Sequence, residues 1–337
     1  MAQKVTIATV ARRAQVSRQT VSNVLNAPHI VREETRRRVQ EAIDALGYRA
    51  NQAARQMRTG RSRLIAVRIE PTRDGINGSV LDRFLHGLTE TAESAGYRVM
   101  LYTATDAHQE IDVFDDLLGA YDLDAFVLTG TEHGDPRTAW LAGRGVPFVT
   151  FGRPWGVPDP HPWVDVDNAD GTAQATRHLL ATGHRRIGYI GWPLPSSAVG
   201  GERRSGWYDT LRAAGIDPGG LHRETVDGIA EGEWMMRELL AEPTPPTAVV
   251  CASDSLALGA LQAVGAAPGG PGWPAAPVAV VGFDDTPVAA ALGLTSVSQP
   301  LGTAAARCVD LLTGVLDDHP TDSPVLLQPS LVLRRTA

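Results

Sequence analysis

Residues 17–26, Ser17-Arg18-Gln19-Thr20-Val21-Ser22-Asn23-Val24-Leu25-Asn26, decide how the N-terminal part of the chain folds. A serine hydroxyl accepts a hydrogen bond from an otherwise unpaired N–H of a first helical turn, so Ser17 marks a helix start. Val21, Val24 and Leu25 then recur at helical spacing and make one apolar stripe. Arg18, Gln19, Thr20, Ser22 and Asn23 are left for the outer face, which carries no acid. Guanidinium, amide and hydroxyl groups are those that contact base edges and phosphates in a major groove. An ordinary solvated surface helix is the alternative, and the flanking sequence separates the two.

Upstream, Thr6 opens a helix with Ile7, Val10 and Ala11 on one side, and Ala14-Gln15-Val16 is a turn. Two short helices joined in this way form a helix-turn-helix, whose second helix enters the major groove. Downstream, Val39, Ala42, Ile43 and Leu46 follow the 3.6-residue period, which predicts a third helix over 32–46 ending at Gly47. Residues 51–60 begin with an Asn cap, continue with good helix formers and stop at Gly60. A segment this short does not hold a helix alone in water. Met57 between Arg55 and Arg58 suits an apolar wedge in a minor groove with arginines on the phosphates; a plain linker is the alternative.

Charge supports the nucleic-acid reading. Up to Ser62 there are twelve basic and four acidic residues, a net of +8, against −7 for the whole chain of 337 residues. A basic head on an acidic body points to a head that alone meets a polyanion. No apolar run is long enough to span a membrane, and no apolar stretch follows the N-terminal charges as in a secretory signal. Cys251 and Cys308 lie in apolar segments, which fits two buried free thiols and a cytoplasmic protein.

From residue 64 the texture changes. Apolar runs at 64–69, 98–102, 125–129 and 147–151 alternate with helical patterns at 81–94, 111–118 and 138–143. The alternation resumes with strands at 186–191, around Val226, at 248–252 and at 278–283, and with helices at 173–181, 203–214, 234–240 and 256–264. The tail holds 295–298, a helix at 304–316 and an apolar stretch at 325–333. This is a doubly wound α/β body with parallel sheets, and 268–277 is a Gly- and Pro-rich loop.

Ligands of such sheets sit beyond the carboxyl ends of the strands. Those ends carry Gly152-Arg153, Trp192, Ser253-Asp254 and Asp284-Asp285, and Arg203 stands at the mouth of a following helix. Carboxylates and guanidinium bind vicinal hydroxyls in pairs, and an indole face covers the apolar face of a sugar ring. Asp254 serves equally as a helix cap, and Trp155 and Trp163 as packing residues. The sequence holds no phosphate-binding loop, no zinc-like spacing and no nucleophile elbow. No pair of groups is placed as general acid and base, so the expectation is no enzyme, no cofactor and no metal.

Taken together, Val5-Thr6-Ile7-Ala8-Thr9-Val10-Ala11, Val16-Ser17-Arg18-Gln19-Thr20-Val21-Ser22, Glu33-Glu34-Thr35-Arg36, Leu46-Gly47-Tyr48 and Ala54-Arg55 resemble the lac repressor (LacI/GalR) family of transcriptional regulators. Asp167-Asn168, Gly183-His184-Arg185-Arg186-Ile187, Arg203 with Gly206, Ala252-Ser253-Asp254, Ala257-Leu258-Gly259-Ala260-Leu261, Gly282-Phe283-Asp284-Asp285 and Gln299-Pro300 extend the resemblance over nearly the whole chain. It implies a small all-α helix-turn-helix head and an α/β periplasmic-binding-protein-like body of two doubly wound lobes.

The implied divisions are a DNA-binding domain at 1–50, a hinge helix and linker at 51–62, a first lobe at 63–163 and 291–323, and a second at 164–290 and 324–337. The crossovers would lie near Val164, Ala291 and Pro324. The resemblance implies that Arg18, Gln19 and Asn23 read bases. Thr6, Ser17, Thr20, Ser22, Asn26, Thr35, Tyr48 and Asn51 would hold the DNA backbone, with Ala54, Arg55 and Met57 in the minor groove. Ligand contacts carry over to Arg203, Ser253 and Asp284, with Gly152, Arg153, Trp192 and Asp254 as further candidates.

Thr9 stands where the family usually has Asp, Gln15 where Gly is frequent, Asn23 in place of a commoner Arg or His, Arg32 in place of a Ser cap, Met57 in place of Leu and Ser253 in place of Asn. The expected protein is a homodimeric, ligand-responsive repressor on a near-palindromic operator, not a tetramer, with a carbohydrate effector. The competing expectation is a cytoplasmic sugar-binding protein without operator-specific DNA binding.

Overall fold

The computed structural model of the protein describes residues 5–48, 60–69, 75–156, 161–194, 198–265, 278–319 and 324–337. It divides into two units, Met1–Ser62 and Arg63–Ala337.

The first unit contains α1 (Ile7–Ala14), α2 (Arg18–Asn26), a 3-10 turn (Pro28–Ile30) and α3 (Glu33–Leu46). Val10, Ala11, Ala14, Val21, Val24, Val39 and Ala42 are buried together, so each predicted apolar stripe faces the same small core. The departures at Thr9, Gln15 and Arg32 have local accounts. Thr6 Oγ1 accepts from the Thr9 N–H at 3.4 Å, and Thr9 Oγ1 accepts in return from the Thr6 N–H at 3.5 Å, so threonine takes the reciprocal role usually given to an acid. Arg32 makes no side-chain cap, while Glu33 and Glu34 lie in the first turn of α3, where negative charge meets the positive end of the helix dipole. Gln15 closes α1 in the left-handed region, at φ +54°, which crowds a Cβ. Gln15→Gly is therefore expected to stabilise the head by about 0.5–1 kcal/mol, read as slower hydrogen exchange of the α1 and α2 amides in the full-length protein. Unchanged or faster exchange would show that the turn is not strained.

The second unit has two six-stranded sheets. The elements of the first lobe are β1 (Leu64–Arg68), α4 (Gly75–Ser94), β2 (Arg98–Tyr102), α5 (Ala107–Tyr121), β3 (Ala125–Thr129), α6 (Pro136–Gly143), β4 (Phe148–Phe151) and β5 (Trp163–Val166). The second lobe follows with α7 (Asn168–Ala181), β6 (Ile187–Gly191), α8 (Ala198–Ala213), β7 (His222–Glu224), α9 (Ile229–Leu240), β8 (Ala248–Cys251), α10 (Asp254–Gly265), β9 (Ala279–Asp284), α11 (Pro287–Leu292) and β10 (Thr295–Ser298). The chain then returns through α12 (Leu301–Leu316) and β11 (Val325–Leu327) to the first lobe and ends with β12 (Ser330–Val332) in the second.

The sheet orders are β11-β5-β4-β3-β1-β2 and β12-β10-β9-β8-β6-β7, and among the described residues only the β10–β12 pair is antiparallel. Strands covered by helices on both faces bury every side chain, as β3 and β8 do. Cys251 and Cys308 are free and buried.

The ladders correct the expected crossovers. Val164 pairs with Val325 inside the first sheet, and Thr295 pairs with Val281 inside the second. The chain therefore changes lobe after Val166, after Ser298 and after Leu327, a few residues beyond Val164, Ala291 and Pro324. The apolar tail at 325–333 is two short strands in different sheets. Val226 lies past the end of β7 and is exposed, because the edge ladder with β6 ends at Glu224. The expected segment at 51–58 lies outside the described residues.

Candidate ligand cavity and nucleic-acid interface

In the head, Ser17 Oγ accepts from the Thr20 N–H at 3.0 Å and lies 2.8 Å from the Thr20 hydroxyl. This cap fixes where α2 begins, and so which residues its outer face presents. Arg18 and Gln19 are exposed and Asn23 is half-buried. Gln19 Nε2 donates to Asn23 Oδ1 at 3.0 Å, which joins the two side-chain amides one turn apart on α2. Thr6 is exposed, Ser22, Thr35 and Tyr48 are half-buried, and Tyr48 packs on the core of the head. The Asn26 side chain and Asn51, Ala54, Arg55 and Met57 lie outside the described positions.

In the body, a cavity of about 380 Å³ opens where the carboxyl ends of the two sheets meet. Val80, Leu81, Phe84, Phe151, Trp192, Val199 and Leu301 make its apolar wall. Asp165, Asn168, Arg203, Asp227, Asp284 and Gln299 supply the polar groups. Apolar walls with a few convergent polar groups are typical of a small-molecule site.

Arg203 is the centre of the polar set and is only 5% exposed. Its Nε donates to Asn168 Oδ1 at 2.9 Å and its Nη1 to the Ala252 carbonyl at 2.6 Å. Nη1 also lies 3.6 Å from Asp284 Oδ1, and the guanidinium stacks 3.6 Å from the centre of the Phe283 ring. Gln299 Nε2 donates to Asp284 Oδ1 at 2.7 Å. Burial pushes the Asp284 carboxyl up to about 8, Arg203 pulls it down, and Asp254 and Asp227 push it further up. Asp284 also has φ +113°, a conformation that a non-glycine residue rarely adopts. Strain of this kind persists where surrounding structure enforces it and concentrates at ligand sites.

On the first-lobe side, Gly152 has φ +123°, and an added Cβ would lie 2.3 Å from Thr131 Oγ1. Glycine thus lets β4 end flush with the cavity wall. Beneath that wall, Arg137 Nη1 and Nη2 donate to the carbonyls of Thr129 and Gly130, while the same guanidinium binds Glu110 and Asp135. Glu110 is fully buried and also pairs with Arg68 at 2.7 Å. This network braces the end of β3.

Not every predicted contact lines the cavity. Gly152, Trp192, Arg203 and Asp284 do. Ser253 is buried behind Asp227: its hydroxyl donates to Asp227 Oδ1 at 2.5 Å and accepts from the Leu256 N–H. Asp254 is fully buried, accepting from the Thr286 N–H at 2.7 Å and the Ser296 hydroxyl at 2.6 Å; it ties the turn after β9 to β10, while Ser253 accepts from the first turn of α10. Arg153 turns to Asp165 and to Glu202 of the opposite lobe. Sequence reasoning missed Asn168, Asp227 and Gln299 as cavity residues, although Asn168 and Gln299 stand in the quoted motifs. Asp227 directly follows Val226, around which a strand was expected, but the end of that strand was not read for ligand contacts.

Residues 6–51 match bacterial regulatory proteins of the lacI family, and residues 176–337 match a periplasmic binding protein-like domain. The HTH-type transcriptional regulator CelR of Thermobifida fusca is 35% identical over 351 positions, covering 98% of each chain. The chain belongs to the LacI family of transcriptional regulators. This LacI-family chain is also 32% identical to the regulator AglR of Rhizobium meliloti, across 95% of its length and 90% of that protein. Among solved structures, a CelR–cellobiose complex superposes with TM-score 0.73 at 32% identity, covering 99% of this chain and 100% of that one. The lac repressor dimer bound to operator and the anti-inducer ONPF superposes with TM-score 0.83 at 28% identity, covering 99% of each. Among the described residues no helix is long and apolar enough to cross a membrane.

Proposed function

We propose that the protein is a homodimeric repressor whose affinity for a near-palindromic operator is set by a neutral sugar in the inter-lobe cavity, and that it is not an enzyme. The observation that carries this reading is Arg203, held rigidly by Asn168, Ala252 and Asp284 inside an aromatic and aliphatic wall. Fixed donors and acceptors beside apolar surface are what alternating hydroxyls and ring faces need. The cellobiose complex of a relative that aligns end to end supports a carbohydrate in the same class of cavity. Ser253 acts by orienting Asp227, and Asp254 by fixing the Asp284 turn, so both shape the site without touching the ligand.

In the head, Arg18, Gln19 and Asn23 are the proposed base readers. Ser17, Thr20, Ser22, Asn26, Thr35, Tyr48, Thr6 and Asn51 hold the backbone, and Ala54, Arg55 and Met57 meet the minor groove. Gln19→Ala is expected to cost about 1–3 kcal/mol at one operator position and to relax preference there. The check is a gel-shift series over single-base operator variants. An equal loss on every sequence would remove Gln19 from the readers. DNA affinity that did not fall steeply with salt would favour a sugar-binding protein without operator recognition.

A further inference from the structure

Among the described residues, two arginine contacts cross the cleft, one a hydrogen bond to a backbone carbonyl and one an ion pair. Arg83 of α4 donates through Nη2 to the Asp284 carbonyl, and Arg153, in the loop after β4, pairs with Glu202 of α8. The second contact is the more informative. Arg153 Nε donates to Asp165 Oδ2 at 2.9 Å, within its own lobe, and Nη1 lies 2.9 Å from Glu202 Oε1, in the other. Asp165 lines the cavity, whereas Arg153 and Glu202 are not among its lining residues. The guanidinium also lies 5.1 Å from the Trp155 ring centre. Arg153 Nη2 and Glu202 Oε2 are closed off from solvent with no partner among the described residues, so the pair is held by one contact and is only partly compensated.

We infer that Glu202 is a positioning residue of the ligand cavity: through Arg153 it sets the spacing of the lobes and the placement of Asp165, and protonation of Glu202 favours the approach of the two lobes. The inference rests on the cavity being a hinged ligand site but not on its ligand being a sugar. The groups facing Glu202 are Arg153 from the β4 loop, Asp165 of β5, Asp167 at the start of α7 and Arg203 on its own helix. Burial is the largest influence on the carboxyl and pushes it up to about 7; Arg153 pulls it down, Asp165 and Asp167 push it up, and Arg203 pulls it down. Opening the cleft returns the carboxyl to water and toward its ordinary range. The approached arrangement therefore holds the proton more tightly, and acidification from pH 8 to pH 6 shifts the lobes toward it by about tenfold. Asp284 titrates in the same region, and its share persists in any Glu202 variant.

The test uses the full-length protein without ligand, spin-labelled at Asp116→Cys in the first lobe and Asp209→Cys in the second. Inter-lobe distances are measured by double electron–electron resonance at pH 6, 7 and 8. The expected result is that the ratio of short to long distances rises on acidification. In Glu202→Gln that rise is smaller by about tenfold, and in Glu202→Asp, which keeps a titrating group, part of it is retained. Equal pH dependence in wild type and Glu202→Gln overturns the inference, as does a distribution that is flat in both. Titrating the same labelled proteins with cellobiose and glucose tests the sugar reading separately, because a protein that binds neither sugar still reports the pH response.

Discussion

Arg203→Ala is expected to weaken ligand binding by at least about a hundredfold while leaving ligand-free operator affinity within about threefold of wild type. The side chain is buried and holds its position through Asn168, the Ala252 carbonyl and Asp284, with the Phe283 ring beneath it. Nε and Nη1 are held by Asn168 and the Ala252 carbonyl, so Nη2 is the nitrogen expected to reach a ligand. Hydrogen bonds from a charged group contribute about 1.5–3 kcal/mol each, and losing two is a factor of roughly 10² to 10⁴. Titration calorimetry with cellobiose, and fluorescence anisotropy with labelled operator, measure the two sides.

The substitution also carries a pH signature. Asp284 already sits high because of burial, and without Arg203 it rises further. A buried carboxyl with a raised value destabilises the fold as pH climbs through that value. The melting temperature of the variant should thus fall further below wild type between pH 6 and pH 9. A deficit that shrinks over that interval would mean that Arg203 does not offset the Asp284 charge.

Gly259→Val should cost more than about 3 kcal/mol, enough to unfold much of the second lobe at 37 °C. A Cβ at Gly259 would lie 2.0 Å from the Ile229 carbonyl oxygen and 2.5 Å from the Glu233 nitrogen. Across the contact, a Cβ at Gly232 would lie 2.4 Å from the Leu256 carbonyl oxygen. The backbones of α9 and α10 touch through this glycine pair, and neither rigid partner can yield. Gly206 plays the same part between α8 and α7, where its Cβ would meet the Ala169 carbonyl oxygen at 2.0 Å, so the position of Arg203, three residues earlier on the same helix, depends on glycine. Urea denaturation of the full-length protein, followed by tryptophan fluorescence, measures the effect. A midpoint within experimental error of wild type would contradict the close approach.

Local rules carried the head almost completely. Ser17, the stripe of Val21 and Val24, and Gly47 each act within one helical turn, and the structure places them as their chemistry dictates. The alternation of the body was equally plain because buried parallel strands are continuous apolar runs. What stayed hidden depends on contacts distant in sequence. Trp163–Val166 was not read as a strand, because its one aspartate breaks the apolar run; only the tertiary structure gives Asp165 its partner, Arg153. Glu110 reads as a solvated residue of an amphipathic helix until Arg68 and Arg137, from other elements, close over it.

The same holds in the cavity. Trp192 and Asp284 were singled out at strand ends, where ligands of doubly wound sheets gather; Arg203 was expected at the mouth of a helix and lies inside α8, which begins at Ala198. Ser253 and Asp254 occupy an equivalent strand end but turn inward, because Asp227 and the Thr286 N–H offer nearer partners than a ligand does. Which side of a strand end faces the cleft is settled by such partners, and they come from segments far along the chain.

Ligand control of operator binding is tested most directly by one titration. Operator selected from random DNA is bound by the full-length protein at fixed salt and pH, and cellobiose is added while anisotropy is recorded. The account predicts that the sugar changes operator affinity by at least about fivefold, and that Arg203→Ala, which still binds operator, shows no change. Operator affinity that ignores every sugar the protein binds, or that shifts equally in Arg203→Ala, would contradict it.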